Sequence, residues 1–375
     1  MAPTMIITND FPPTIGGIEG FVADLCALLD DDVVVLTRHT DGWRDHDQQL
    51  SYPVIRKGRL LLPTPEIGIQ AIRLIRAYHI TRVIFGAMAP LALLAPRLRA
   101  AGVRNLLAIS HGHETWWAGL PPTAALLRRM ADAVDHVSTI SDYTSSRIAP
   151  ALSPATRAKV IRIAPPVDIQ RFRPVDRSDD HEISRAPTVI AVGRMVRQKG
   201  FDTLLEAWAL HRRDQHDADP QAMLVLVGDG PQRPQLQRLC RRLGLESSVR
   251  FAGRLPRDQI PGLLRQADVF ALPVRTRLAG LNPEGLGLGF LEAAASGLPV
   301  IVGRSGGAPE TVIDQQTGYV VEPDDPRAVA ERIGQLLADP VRAAAMGRAG
   351  RDHVVGRYGS GSVRATVRCA LGLDA

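Results

Sequence analysis

Short apolar runs alternate with amphipathic segments along the whole chain, and that alternation predicts its architecture. TMIITN (4–9) has the unbroken apolar centre of a buried strand, and GGIEGFVADLCALL (16–29) follows it with apolar positions at helical spacing. DVVVLT (32–37), RVIFG (82–86), NLLAIS (105–110) and HVSTIS (136–141) continue the strand series. Strands separated by helices imply a parallel sheet with helices covering it.

The stretch PVDRSDDHEISRAP (174–187) breaks the pattern: it is polar, charged and bracketed by prolines, as an interdomain linker is. The alternation then restarts. PTVIAVGR (187–194), AMLVLVGDG (222–230), SVRFAGR (248–254), ADVFALP (267–273) and LPVIVG (298–303) read as strands, with helical segments such as 200–213 and 232–243 between them. Residues 326–357 are helical by pattern and rich in Ala and Arg. The expected organisation is two doubly wound α/β domains, 1–173 and 187–345, with a helical tail over 346–375 that packs back on the first domain. Ligands of such folds sit beyond the carboxyl ends of the strands, and with two domains the expected site is a central cleft between them.

Composition narrows the function classes. At 375 residues the chain exceeds one ordinary core, and 45% hydrophobic with 22% charged residues describes a globular protein. No apolar run approaches the roughly 18 residues of a membrane span. MAPTMIITNDFPP has neither the basic start nor the apolar core of a secretory signal, so the expected location is the cytoplasm, with peripheral contact to the inner face of the cell membrane as its extension. Cys26, Cys240 and Cys369 are far apart, which argues against a disulfide framework or a cysteine-based zinc site. The formal charge is +6 but the basic residues are scattered, so nucleic acid is not implied, while phosphates or an anionic membrane surface remain candidate partners. Lysine occurs only at 57, 159 and 199, which makes Lys199 conspicuous among so many arginines.

Three loops carry candidate chemistry. In NDFPPTIGGIEGF, Gly16 and Gly17 lie between a strand and a helix, where paired glycines admit a close ligand and the helix start offers amides to an anion; a plain tight turn is the alternative. In AVGRMVRQKGF, Arg194 and Lys199 follow a strand, and two cations together at a strand mouth suit a diphosphate, whereas either alone would read as a solvated surface charge. In GLNPEGLGLGFLEAAASGLPVIVGRSGGAPETV, seven residues separate Glu284 from Glu292. Their glycines predict a loop entering a helix near 287 that Gly297 ends, with Glu284 on the loop and Glu292 on the first turns. One carboxylate there can accept from both ribose hydroxyls and the other can hold sugar hydroxyls, with helix amides for phosphate between them. Two acids that merely favour the helix dipole would be the bland reading. SHGHETWW (110–117) adds His111 and His113, whose spacing suits a metal, a catalytic base with its neighbour, or an ordinary loop.

These motifs together resemble the retaining GT-B glycosyltransferases of family four, nearly end to end. The family's Glu–seven residues–Glu element matches Glu284 and Glu292, its Arg and Lys pair matches Arg194 and Lys199, its Gly-Gly loop matches Gly16 and Gly17, and its strand-tip histidine falls in SHGHE. TNDFPPTIGGIEGF, SHGHETWW, ISDYTSSRI, PVRTRLAGLNPEGLG and GRSGGAPETV most resemble the actinobacterial phosphatidyl-myo-inositol mannoside mannosyltransferases, which use GDP-mannose and need no metal. The resemblance implies two Rossmann-like domains facing a central cleft, the first binding acceptor and the second nucleotide sugar. It implies a hexosyltransferase that moves mannose from GDP-mannose to a glycolipid acceptor, without metal or cofactor. His111, Arg194, Lys199 and Glu284 are then the catalytic candidates. The donor-binding candidates are Gly16, Gly17, Arg194, Lys199, Arg254, Leu255, Glu284, Gly285, Leu286, Gly287, Leu288 and Glu292. His113, Glu114 and Trp116 are acceptor candidates, with His113 and Glu114 shaping the loop and Trp116 either stacking on an acceptor ring or packing in the core.

On this reading Arg194 and Lys199 stabilise the departing diphosphate, the acceptor attacks from the same face, and His111 orients rather than acts as base. A metal is disfavoured because His-x-His supplies only two ligands and no Asp-x-Asp is evident. Two departures bear on the acceptor: Pro166 in APPVDIQRF stands where the family usually has glycine, and HETWWAGL has two tryptophans where one is expected. Three rivals compete: a UDP-sugar transferase with a natural-product, polysaccharide or other small-molecule acceptor, a catalytically silent sugar-nucleotide-binding subunit, and a dehydrogenase. The second would be expected to lose some of His111, Arg194, Lys199 or Glu284, and the third lacks a G-x-G-x-x-G after the first strand. Two apolar stretches bearing arginines, RKGRLLLP (56–63) and LLRRMA (126–131), are candidates for meeting a lipid surface; ordinary core-packed elements are the alternative.

Overall fold

The computed structural model describes residues 2–14, 16–30, 32–112, 114–175, 186–214, 221–277 and 282–374. Its contacts divide the chain into two units, Met1–Pro166 with Ser360–Ala375, and Val167–Gly359.

The first unit is built on seven parallel strands: β1 (Thr4–Ile7), β2 (Val33–Thr37), β3 (Val54–Arg56), β4 (Arg82–Phe85), β5 (Asn105–Ser110), β6 (His136–Thr139) and β7 (Val160–Arg162). Their order is β3-β2-β1-β4-β5-β6-β7. Every residue of β1 and β2 is buried, which is why those segments read as continuous apolar runs: helices cover a parallel sheet on both faces. In register, Thr4 lies beside Val33 on one side and Arg82 on the other. The sheet's order reverses between β1 and β4, so the loops after those strands splay apart and open a crevice. The C-terminal helix Ser360–Ala370 packs on Gly17–Leu28, helped by an ion pair between Arg364 and Asp30.

The second unit repeats the plan with six parallel strands: β8 (Thr188–Val192), β9 (Met223–Val227), β10 (Val249–Gly253), β11 (Val269–Leu272), β12 (Val300–Gly303) and β13 (Gly318–Val321). Their order is β10-β9-β8-β11-β12-β13, with the reversal between β8 and β11. The helices Phe201–Asp214 and Pro326–Ala338 pack against one another. Trp208 is fully buried there, and its indole N–H finds Ser248 Oγ at 3.1 Å.

The observed division differs from the pattern-based boundaries at both crossings. Residues 167–173 pack with the second unit because Val167 N donates to Tyr358 O (2.8 Å) and Phe172 is buried under Arg351, whose guanidinium holds Phe172 O at 3.1 Å. The long helix Pro340–Tyr358 stays in that unit for the same reason, so only Ser360–Ala375 joins the first. Periodicity marks where helices run but not which sheet their buried face meets. Most of the expected linker, 176–185, lies outside the described residues. Cys26 and Cys240 are buried and Cys369 is exposed. No helix of the described residues is long and apolar enough to cross a membrane.

Candidate functional site

The second unit gathers its candidate residues at the carboxyl ends of its strands. Beyond β8 the chain continues along β9: Gly193 N donates to Val227 O (3.0 Å) and Met195 N to Asp229 O (2.8 Å). A short 3-10 turn, Arg197–Lys199, follows. It delivers the Lys199 ammonium to 2.7 Å from Glu284 Oε2, with the two side chains 23% and 12% exposed.

Glu284 is held from several directions. Its N–H donates to Ser305 Oγ (3.2 Å), which in turn lies 2.9 Å from Thr276 Oγ1. Its carbonyl accepts from Gly307 N (2.9 Å). Gly306 is required beside it, because a Cβ at that position would sit 1.9 Å from the Glu284 carbonyl oxygen. Gln198 Nε2 donates to the preceding carbonyl of Pro283 (2.8 Å). Loops following β8, β11 and β12 therefore converge on one carboxylate.

Eight residues on, Glu292 projects from the helix Leu288–Ala295, one turn past its start. Gly287 begins that helix at φ +92°, and a Cβ there would reach within 2.4 Å of the Phe290 ring. Phe290 is locked edge-on against Phe270, so only glycine allows the sharp entry. The helix start also presents amides that lack intrahelical acceptors, a positive end suited to phosphate oxygens. Glu292 is 14% exposed and lies 3.5 Å from Arg257, an outer-limit contact to an exposed side chain. Arg194 is exposed, and its guanidinium makes no hydrogen bond or ion pair among the described residues. Arg254 is exposed and Leu255 half-buried at the end of β10. Leu286 is buried, so it can offer a ligand only main-chain groups, while Gly285 and Leu288 are half-buried.

The first unit makes a second cluster at its own strand ends. His111 follows β5, and its Nε2 lies 2.6 Å from Gly86 O, just past β4. A carbonyl only accepts, so Nε2 carries the proton, and a neutral ring then has its lone pair on Nδ1. Phe21 meets the ring edge-on, with centroids 5.5 Å apart. Glu114 is 3% exposed and receives the Ser110 hydroxyl at 2.9 Å, so it braces the strand tip from within. Gly16 caps the helix Gly17–Leu28, and both glycines are exposed. At Gly17 an added Cβ would meet nothing within 4 Å, so the described chain itself does not require glycine there. His113 and the Trp116 side chain lie outside the described residues. Among the described residues, no group of three or more His, Cys, Asp or Glu could hold a metal ion.

Arg56 is a residue that periodicity could not flag. It is 7% exposed and grips Asp47 through two bonds of 2.8 Å, while also donating to Pro12 O (2.6 Å) and Arg38 O (2.9 Å). It knits the loops after β1 and β2 together, so it is not available to a lipid surface as the sequence suggested. Leu61 is fully buried as well, and within that stretch it is Leu60 and Leu62 that are exposed, at 59% and 47%, with Arg59 exposed beside them. The other candidate stretch, 126–131, is an ordinary amphipathic segment, with Leu127 and Met130 in the core and Arg128 donating to Ala151 O at 3.1 Å. Arg257 and Ser305 also contact Glu292 and the Glu284 backbone without standing out in the sequence: Arg257 is marked only by its position three residues past Arg254, and Ser305 sits within the glycine-rich GRSGGAPETV.

Comparison with known proteins also divides the chain in two, a few residues after the structural boundary. The family described as Glycosyltransferase Family 4 matches residues 15–171, and Glycosyl transferases group 1 matches 173–353. A "GDP-mannose-dependent alpha-(1-6)-phosphatidylinositol monomannoside mannosyltransferase" of Mycobacterium tuberculosis is 41% identical over 371 residues, covering 96% of this chain and 95% of that protein. The monoacylated-acceptor counterpart of Corynebacterium glutamicum is 39% identical over 362 residues, covering 94% and 93%. Among solved structures, Anabaena Alr3699/HepE in complex with UDP superposes with TM-score 0.82 at 19% identity, covering 99% of this chain and 100% of that one. Sucrose-phosphate synthase from Thermosynechococcus elongatus follows at 0.78 and 23%, covering 100% of both; these two show the fold. Two parallel α/β units, both family matches and full-length relatives at this identity agree: the chain is a GT-B glycosyltransferase of family 4, in the group that holds the phosphatidylinositol monomannoside mannosyltransferases.

Proposed function

We propose that this enzyme transfers mannose from GDP-mannose, with retention at the anomeric carbon, to a phosphatidylinositol monomannoside. The observation that carries the reading is 39–42% identity to GDP-mannose-dependent enzymes of that acceptor across nearly the whole chain. The Lys199–Glu284 pair and the exposed Arg194 at the end of β8 support it. Arg194 and Lys199 take the two phosphates, and the amides opening the helix Leu288–Ala295 take the remaining oxygens. Glu292 accepts from the ribose hydroxyls and Glu284 from a hydroxyl of the transferred mannose. The anomeric carbon–oxygen bond to the diphosphate breaks as a bond to the acceptor oxygen forms on the same face. The acceptor proton passes to the leaving phosphate oxygen. Negative charge grows on the diphosphate, where two fixed cations stabilise it more than they stabilise the ground state. His111, fixed by its Nε2–H on the Gly86 carbonyl and by Phe21 against its ring, orients the reacting groups, and the acceptor proton goes to the leaving phosphate oxygen instead. Gly17, free of any steric need within the chain, leaves room for the ligand to approach the backbone.

The test is nucleotide release with phosphatidylinositol monomannoside vesicles across a panel of GDP- and UDP-sugars. Turnover is expected with GDP-mannose, not with UDP-glucose, and unchanged by EDTA because the leaving group already has its cations. Turnover with the UDP-sugars alone, or EDTA inactivation reversed by magnesium, would replace this reading.

The acceptor lies in a bilayer, and we infer that the loop after β3 and the helix Pro65–Tyr78 meet that surface. Leu60, Leu62 and Ile69 are exposed apolar residues, and Arg59 and Arg73 are exposed cations in the same segment. Apolar insertion plus about 1 kcal/mol per basic residue near anionic lipid gives salt-sensitive binding. Leu60→Ser with Arg59→Ser is expected to reduce co-sedimentation with phosphatidylinositol vesicles at low salt several-fold. Sedimentation equal to that of the unaltered protein would move the contact elsewhere.

A further inference from the structure

We propose that the second unit carries an additional anion site, outside the donor residues, that takes a small ligand bearing two or more phosphate charges. The site is a cavity of about 460 Å³, a volume typical of small-molecule pockets. Five arginines wall it: Arg197 from the turn after β8, Arg238 and Arg242 from the helix Arg233–Arg242, and Arg275 and Arg277 from the loop after β11. Its acidic lining is Asp202 and Glu206. Neither Arg194, Lys199, Glu284 nor Glu292 lines it.

The charges do not cancel within the cavity. Among the described residues, Arg275 is the one of these five arginines with carboxylate partners: it binds Asp202, Asp324 at 3.0 Å and the Thr203 hydroxyl at 2.9 Å. It is 8% exposed, and its Nε is buried with no hydrogen-bond partner among the described residues. The side chains of Arg197, Arg238, Arg242 and Arg277 have no hydrogen bond or ion pair among the described residues, and Glu206 alone remains to face them. Arg238 and Arg242 are also like charges at i, i+4 on one helix, a spacing that is unfavourable unless an anion lies between them. Guanidinium forks converging on one space match phosphate oxygens, and the Gln232 and Gln235 amides add neutral donors. The floor of the site touches the donor loop, since Arg275 N donates to Gln198 O at 2.8 Å, next to Lys199.

The phosphate could come from a soluble anion or from a lipid headgroup, and two arms separate these. In the first, inorganic pyrophosphate is titrated calorimetrically into the full chain carrying Lys199→Ala, with and without Arg238→Ala/Arg242→Ala. In the second, phosphatidylinositol vesicles are sedimented with the wild type and with the double arginine variant. Both arginines are exposed, and an unchanged thermal melt and circular dichroism spectrum in the double variant confirm that it is folded. At least a tenfold loss of pyrophosphate affinity assigns the site to a soluble phosphate. A comparable loss confined to vesicles assigns it to a headgroup. If the double substitution changes neither, the cavity is not an anion site. These readouts are binding, so they stand apart from whether the transferase reading holds.

Discussion

Lys199→Ala is expected to lower kcat/KM by at least about 30-fold, roughly 2 kcal/mol of lost transition-state stabilisation. The ammonium sits 2.7 Å from Glu284, and its side chain is largely shielded from water at 23% exposed. It is thus held in place where the diphosphate charge is proposed to develop, and no reorganisation is needed during the reaction. Its removal also strands a carboxylate that is 12% exposed, which repels the incoming phosphates. Arg194→Ala provides the cleaner comparison. Its guanidinium is exposed and unengaged among the described residues, so stability should not change while kcat/KM falls by a similar factor. Steady-state kinetics with a thermal melt on each variant decides the matter. Full turnover in both would remove this strand mouth from the active site.

The two carboxylates are expected to fail in different ways. Glu292→Gln should raise KM for GDP-mannose at least tenfold, more than it lowers kcat, because its proposed partner is the ribose, which does not react. Glu284→Gln should do the reverse, lowering kcat by about 100-fold through lost hold on the transferred sugar. Calorimetry of free GDP, which has ribose but no mannose, separates them. Its affinity should drop in Glu292→Gln. In Glu284→Gln it should hold or tighten, since Lys199 loses its carboxylate partner and is left wholly to the phosphates. Equal losses, or a larger loss in Glu284→Gln, would mean that the two assignments are exchanged.

The sequence by itself determined the sheet class and the order of the elements. Apolar runs such as 4–9 and 222–227 are too short for buried helices and read as strands covered on both faces, and the helices between them favour parallel connection. It also placed Glu284 and Glu292 correctly as loop and helix, because Gly287 and Gly297 punctuate that segment whatever surrounds it. Only the tertiary structure decided which charged residues are spoken for. Arg56 and Arg59 look alike in RKGRLLLP, yet one is buried on Asp47 and on carbonyl and hydroxyl groups of two loops while the other faces water. Arg194, Arg197 and Lys199 share one short loop, but Lys199 reaches Glu284, 85 positions away, and Arg197 joins a separate cavity. The same holds for the helix Pro340–Tyr358, whose pattern is plain but whose unit is set by Val167 and Phe172 far upstream. Periodicity is a property of neighbours along the chain, whereas ion pairs and unit boundaries depend on contacts between residues distant in sequence, which no local pattern encodes.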